Sequence, residues 1–196
     1  MARGYMGKLL NVNLTAGKVE AEPIDEALCH DYIGGYGLGA RLLYDRIPAG
    51  ANALGPNNIL GFLTGPLTGT PAVIGSRYVT VAKSPLTRGW GDANCGGYFG
   101  PHLKFAGFDG VLVSGVAHKP VYLFINEGKA ELLDASDLWG LGVTPMEDKL
   151  KERHGKDVEI CSIGPSGEKL ALSACVMNDK ERACGRSGLG AVMGSK

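Results

Sequence analysis

Trp90-Gly91-Asp92-Ala93-Asn94-Cys95-Gly96-Gly97-Tyr98-Phe99-Gly100 carries four glycines in eleven residues. It is too rich in glycine for a packed strand and too apolar for a plain solvent loop, so it reads as a loop built for close approach. Gly96 and Gly97 lack the Cβ that would keep a ligand off the backbone, and they permit positive φ. Where such a loop enters a helix, several free N–H groups point one way and favour an anion such as a phosphate. Asn94 adds a neutral carbonyl oxygen suited to a hard cation such as Mg²⁺. Just upstream, in Gly75-Ser76-Arg77-Tyr78, Arg77 offers a planar fork that matches phosphate. The competing reading is a tight turn before a helix.

A second stretch, Asn178-Asp179-Lys180-Glu181-Arg182-Ala183-Cys184-Gly185-Arg186-Ser187-Gly188-Leu189-Gly190, has the same grammar. Each is a strand, a polar loop with Asn and Arg, a Cys-Gly step, then a helix start rich in small residues. Gly65-Pro66 precedes the first and Gly164-Pro165 the second. Two similar halves point to an internal duplication with both loops on one side. Paired anion cradles suit a ligand with two phosphates or two phosphorylated halves. The alternative for Arg182 and Arg186 is a solvated face.

Outward from these loops, Lys8–Leu14 and Lys18–Ile24 read as a hairpin around Thr15-Ala16-Gly17. Asp25–Ile33 has helical spacing. Gly34-Gly35-Tyr36-Gly37-Leu38-Gly39-Ala40 formally fits a dinucleotide-binding pattern, but a helix-like segment precedes it, so it reads as a helix-to-helix turn. Asn58–Thr64, Arg77–Lys83, Gly110–Ser114 and Val121–Ile125 are strand candidates, and Lys129–Leu133 pairs with the last across Asn126-Glu127-Gly128. A helix is expected around Pro101–Ala106. Thr144-Pro145-Met146-Glu147 reads as a capped helix start, with the helix running to His154 and closed by Gly155. Val158–Ile163 and Leu170–Met177 are the last expected strands.

Across 196 residues, 20 Lys and Arg balance 20 Asp and Glu, which argues against a nucleic-acid footprint and a polybasic membrane surface. No apolar run approaches the roughly 18 residues of a membrane span. Met1–Lys8 carries no apolar signal core, so a cytoplasmic protein is expected. The five cysteines, Cys29, Cys95, Cys161, Cys175 and Cys184, show no zinc or cluster spacing, and Cys161 and Cys175 read as buried structural thiols. Glycine, 31 residues without a period, implies many tight turns and close backbone approaches.

Several motifs in order now matter together: Gly65-Pro66-Leu67-Thr68-Gly69-Thr70, Gly75-Ser76-Arg77-Tyr78, Ala93–Gly100, Leu103-Lys104-Phe105-Ala106-Gly107-Phe108-Asp109, and Arg182-Ala183-x-Gly185-Arg186-x-Gly188-x-Gly190 through Lys196. With them the chain resembles the amino-terminal domain of the tungsten-containing aldehyde ferredoxin oxidoreductases, over essentially all its residues. The resemblance implies an α+β fold of duplicated β-α-β halves with pseudo-twofold symmetry, mostly sheet with a few helices. It implies a base for two pterins whose dithiolenes hold tungsten (molybdenum in some relatives), with Mg²⁺ bridging the pterin phosphates. By motif match Arg77, Asn94, Gly96, Gly97, Arg182, Ala183 and Gly185 would contact the pterins, and Asn94 and Ala183 would offer carbonyl oxygens near Mg²⁺.

The family's enzymes are much longer, so residues 1–196 read as one domain of a larger three-domain chain. An iron–sulfur cluster, the acid/base groups and the substrate channel are expected only in the later domains. A strand equivalent to Gly110–Ser114 is missing from the second half, which would leave a partner strand unpaired. The implied activity is oxidation of aldehydes to carboxylic acids, with electrons leaving through the cluster to ferredoxin. The implied partners are the remaining domains, ferredoxin and a possible second copy, with no nucleic acid and no membrane. No catalytic proton-transfer residue is expected here. His102 reads as a helix-surface residue and Cys95 as a small filler or pterin neighbour. The alternatives are a stand-alone phosphate- or nucleotide-binding module without redox chemistry, or a tungsten enzyme of the same family acting on another acid or aldehyde.

Overall fold

The computed structural model describes residues 4–196; Met1-Ala2-Arg3, part of the segment read for a signal core, lies outside them. β1 (Lys8–Asn13) and β2 (Lys18–Pro23) form the expected hairpin. Gly17 takes φ +62 in its turn, and the Asn13 side chain accepts from Ala16 N at 3.1 Å. With β3 (Leu60–Thr64), β4 (Tyr78–Lys83), β5 (Trp90–Cys95) and β6 (Gly110–Ser114), the hairpin builds one six-stranded sheet in the order β2-β1-β6-β3-β4-β5. Only the β1–β6 pair is parallel.

The period-two alternation of strands sorts apolar side chains to two faces. Leu9, Leu63, Val79 and Val81 face α1 (Glu26–Tyr32) and α2 (Gly35–Arg46), meeting Leu38, Leu42 and Leu43. Leu10, Phe62, Tyr78 and Ala82 face the other way, against α3 (Phe99–Phe105) and the second half of the chain. Every residue of β3 is buried, as a strand covered on both faces must be.

The second half repeats the first in a smaller form. β9 (Cys161–Ser162), β10 (Val176–Asn178) and β11 (Arg182–Cys184) make an antiparallel sheet, and α6 (Leu189–Gly194) follows, as α3 follows β3, β4 and β5. In the first half α3 leads on into β6, giving a strand–helix–strand unit β5-α3-β6. Between the halves β7 (Val121–Asn126) and β8 (Lys129–Asp134) pair alone, beside α4 (Val143–His154) and its core of Leu138, Met146, Leu150 and Ile160. The architecture is mixed and sheet-dominated, with six helices among the described residues; α5 (Pro165–Glu168) is the shortest. No helix of the described residues is long and apolar enough to cross a membrane.

Four local expectations change. Trp90–Cys95 is a strand, with Lys83↔Trp90 through Tyr78↔Cys95 in register, so the loop shrinks to Gly96-Gly97-Tyr98. Its glycine is needed because a Cβ on Gly91 would lie 2.8 Å from Ser84 Cβ. The run Gly34–Ala40 is helix from Gly35 onward; only Ile33-Gly34 turns. Gly39 serves close helix–sheet packing there, since its Cβ would lie 2.8 Å from Leu63 Cδ1. Helix α4 starts at Val143 with Gly142 as its N-cap, so Thr144 does not cap it; Glu147 turns inward to accept from Lys180 N at 2.8 Å. Within Val158–Ile163 and Leu170–Met177 only β9 and the start of β10 are strand. The intervening Gly164-Pro165 opens α5 instead.

Candidate functional site

β5 ends the six-stranded sheet and β11 ends the three-stranded one, and these two edges lie side by side. Asn94 on β5 and Ala183 on β11 are both exposed, whereas their neighbours Cys95 and Cys184 point into the core. Arg77, exposed just before β4, donates from Nη1 to Asn94 Oδ1 at 3.0 Å. That bond holds the guanidinium beside Gly96, where a Cβ would sit 3.7 Å from Arg77 Nε and Ser76 Oγ.

The two glycine loops interlock. Asn178 donates from Nδ2 to the Gly96 carbonyl at 3.0 Å and accepts from Cys95 Sγ at 2.9 Å. Asp179 Oδ2 accepts from Tyr98 N at 2.9 Å and lies 3.4 Å from Arg182 Nε. Gly97, at φ +106, must be glycine: a Cβ would fall 2.0 Å from Asp179 Oδ2 and 2.8 Å from Arg182 Cδ. This overturns one detail of the loop reading. The loop reading expects several N–H groups free to face an anion, and one of them, the Tyr98 N–H, is instead donated across to the second half.

Beneath the loops lie thiols. Tyr78 Oη is 3.1 Å from Cys184 Sγ and 3.4 Å from Cys161 Sγ. Hydrogen bonding to Cys184, then burial, pushes the Cys95 thiol up; bonding to Cys161 pushes Cys184 up to about 12. Burial raises the Tyr78 phenol as well. Cys95 and Cys184 therefore stay as thiols at neutral pH and act as small fillers. Among the described residues no group of three or more His, Cys, Asp or Glu is placed to hold a metal. The Asn94 amide oxygen, a neutral oxygen donor at this face, already accepts from Arg77. His102 is exposed on α3, its Nδ1 2.9 Å from the Tyr98 carbonyl.

The structure thus brings Arg77, Asn94, Gly96, Gly97 and Arg182 into one cluster, with Ala183 and exposed Gly185 following on β11 and just past it. A Cβ built on Gly185 would meet nothing within 4 Å among the described residues beyond its chain neighbours, so the backbone there faces open space. Sequence reasoning quoted Asn178 and Asp179 but gave them no role. Their partners in the first loop lie more than eighty positions away, and no local pattern carries that information.

A family model described as "Aldehyde ferredoxin oxidoreductase, N-terminal domain" matches residues 9–196. The chain belongs to this family. It is 48% identical over 194 residues to the tungsten-containing aldehyde ferredoxin oxidoreductases of Pyrococcus abyssi and Pyrococcus horikoshii, covering 98% of this chain and 32% of each relative. An aliphatic sulfonate oxidoreductase WOR-like subunit of Pyrococcus furiosus is 36% identical over 208 aligned residues, again covering 98% of this chain and 33% of that protein. Among solved structures, a chain of the active site complex BamBC of benzoyl coenzyme A reductase, solved with 1,5-dienoyl-CoA, superposes with a TM-score of 0.96 at 34% identity, covering 100% of this chain and 30% of that one. The chain therefore spans about a third of the length of the curated relatives it matches.

Proposed function

We propose that this domain is the pterin-binding base of a tungsten-dependent oxidoreductase that converts aldehydes to carboxylic acids and passes electrons, through an iron–sulfur cluster in further domains, to ferredoxin. The observation that carries the reading is the interlock of two glycine loops, which sets Arg77 and Arg182 on one exposed face beside the uncovered backbone at Gly96 and Gly185. Two arginines on one face match a ligand with two phosphate-bearing halves.

The donor set fits such a group. Arg77, held by Asn94, and Arg182, held by Asp179, would each pair with a phosphate. Gly96 and Gly185 keep side chains away from the ligand's approach, whereas Gly97 serves the interlock itself. Asn94 and Ala183 sit on facing edge strands, where carbonyl oxygens suit Mg²⁺ better than the protonated thiols beneath. When bound, the tungsten–pterin group would supply two-electron redox chemistry; this chain's residues bind it, orient it and wall one side from water.

The test is Arg77→Ala in the full-length protein. Loss of a charge-assisted bidentate contact weakens retention by about 1.5–3 kcal/mol, roughly ten- to hundredfold. Tungsten and pterin content after dialysis should fall accordingly; wild-type content would refute the role. A second reading keeps the cofactor and changes the substrate. It is favoured by relatives whose names concern aliphatic sulfonates and benzoyl coenzyme A rather than aldehydes. Turnover of the full-length protein on aldehydes against sulfonates and acyl thioesters decides between them.

A further inference from the structure

The other end of β4 and β5 carries a concavity that the proposed function does not use. Asn94 pairs with Val79, and Lys83 lies four residues further along β4, opposite Trp90, so roughly 13 Å of strand separates the two levels. Beside Lys83 opens a cavity of about 290 Å³, whose lining includes Asn52, Leu54, Lys83, Pro85, Arg88 and Leu172. Small-molecule sites begin near this size, at roughly 300 Å³.

Two buried polar side chains hold its walls. Asn58, fully buried, donates from Nδ2 to the Ala53 carbonyl at 2.6 Å and the Lys83 carbonyl at 3.0 Å, and it accepts from Lys83 N at 3.0 Å. Ser84, also fully buried, closes the turn that follows β4. Its Oγ accepts from Leu86 N at 3.1 Å and Thr87 N at 3.2 Å, and its carbonyl accepts from Arg88 N at 2.9 Å. The turn holds Arg88 at φ +63, in the left-handed region that a non-glycine residue enters at a cost. Walls fixed in this way lower the ordering cost of binding.

The charge in the cavity is unmatched. The Lys83 ammonium is half-buried and donates to the Ala51 carbonyl at 2.7 Å, which leaves two of its three protons. Among the described residues no acid lines the cavity, and neither Lys83 nor Arg88 has a carboxylate partner. A partly desolvated cation is stabilised by a counter-ion, and a guanidinium fork beside an ammonium matches the oxygens of a carboxylate or phosphate. Leu54, Pro85 and Leu172 add an apolar wall. We propose that this cavity binds a small organic oxyanion, its carboxylate or phosphate group held by Lys83 and Arg88 and its short apolar body lying against Leu54, Pro85 and Leu172. The inference holds whether or not the other face carries a pterin.

Calorimetric titration of the full-length protein with butanoate and with butyl phosphate, at constant ionic strength, tests it. The two probes share an apolar body and differ in the charged group. At least one should bind saturably, one per chain, with Kd on the order of 1 mM or tighter. The tighter of the two identifies the charged group. Arg88→Gly removes the guanidinium, and glycine takes φ +63 without strain, so the turn is retained. It should weaken binding at least about tenfold, as loss of a charge-assisted contact requires. Lys83→Met keeps the apolar stem and should weaken binding by a similar factor. Binding weaker than the millimolar range by both probes overturns the proposal, and so does wild-type affinity in Arg88→Gly. A loss seen in Arg77→Ala but not in Arg88→Gly would put the anion at the glycine-loop face, which also overturns it. Because the readout is probe affinity, a failed Arg77→Ala test of tungsten retention would leave this result standing and separate.

Discussion

Replacing Gly97 by alanine places a methyl 2.0 Å from Asp179 Oδ2 and 2.8 Å from both Arg182 Cδ and Asn178 Nδ2. Two costs follow. An L-residue at φ +106 is strained by about 1–2 kcal/mol. Displacing Asp179 also forfeits its bond to the Tyr98 N–H, about 1.5–3 kcal/mol for a charged acceptor. Gly155 is the matched control, because it takes φ +103 and a Cβ there meets nothing within 4 Å. Gly155→Ala should therefore cost the strain alone, and Gly97→Ala the strain plus the bond. Multidomain proteins do not unfold in one step, so local hydrogen exchange at Tyr98 is a cleaner assay than a global melt. Protection at Tyr98 should drop in Gly97→Ala by the strain and the bond together, about 2.5–5 kcal/mol of opening free energy, and stay near wild type in Gly155→Ala, whose strain the local opening does not relieve. Equal effects in the two variants would refute the interlock.

Lys104 is buried, 3.6 Å from Asp109, and donates to the Gly65 and Gly4 carbonyls. Lys104→Met removes the counter-charge and should cost about 3–5 kcal/mol in denaturant unfolding; a loss below about 1 kcal/mol would contradict a paired buried charge. Gly39→Ala forces a methyl into Leu63 and Val81 and should destabilise by about 1–3 kcal/mol, read as a lowered thermal midpoint. Cys95→Ala in the full-length protein should leave tungsten content intact, because the thiol points inward at Asn178; loss of tungsten with the fold retained would make it a ligand. Stability should also decline as pH rises through the raised Glu147 value, since burial at 1% exposure favours its acid form; Glu147→Gln should flatten that slope in denaturant titrations.

Local chemistry made the first hairpin and β4 legible: alternation and Gly17 marked the hairpin, and Tyr-Val-Thr-Val marked β4. Both glycine loops, their arginines and the doubling of the chain were legible for the same reason. Trp90–Cys95 was misread because an edge strand with one open face can carry Trp90, Asp92 and Asn94 outward, a pattern that looks like a loop. Thr144 and Glu147 match a capping box locally, but Lys180 N, 33 positions on, takes the Glu147 carboxylate. The partnerships of Asn178 and Asp179 with Gly96, Gly97 and Tyr98 arise only when the two halves meet. Helix α2 shows the converse case, in which a glycine run resembling a nucleotide motif serves close packing on β3 and β4.

Anomalous diffraction at the tungsten edge, from crystals of the native full-length protein, would locate the metal relative to this face. The account predicts a single tungsten peak above the exposed face between Gly96 and Gly185, with phosphate density against Arg77 and Arg182. A tungsten peak away from that face, or a full-length protein purified with no tungsten or molybdenum, would contradict it.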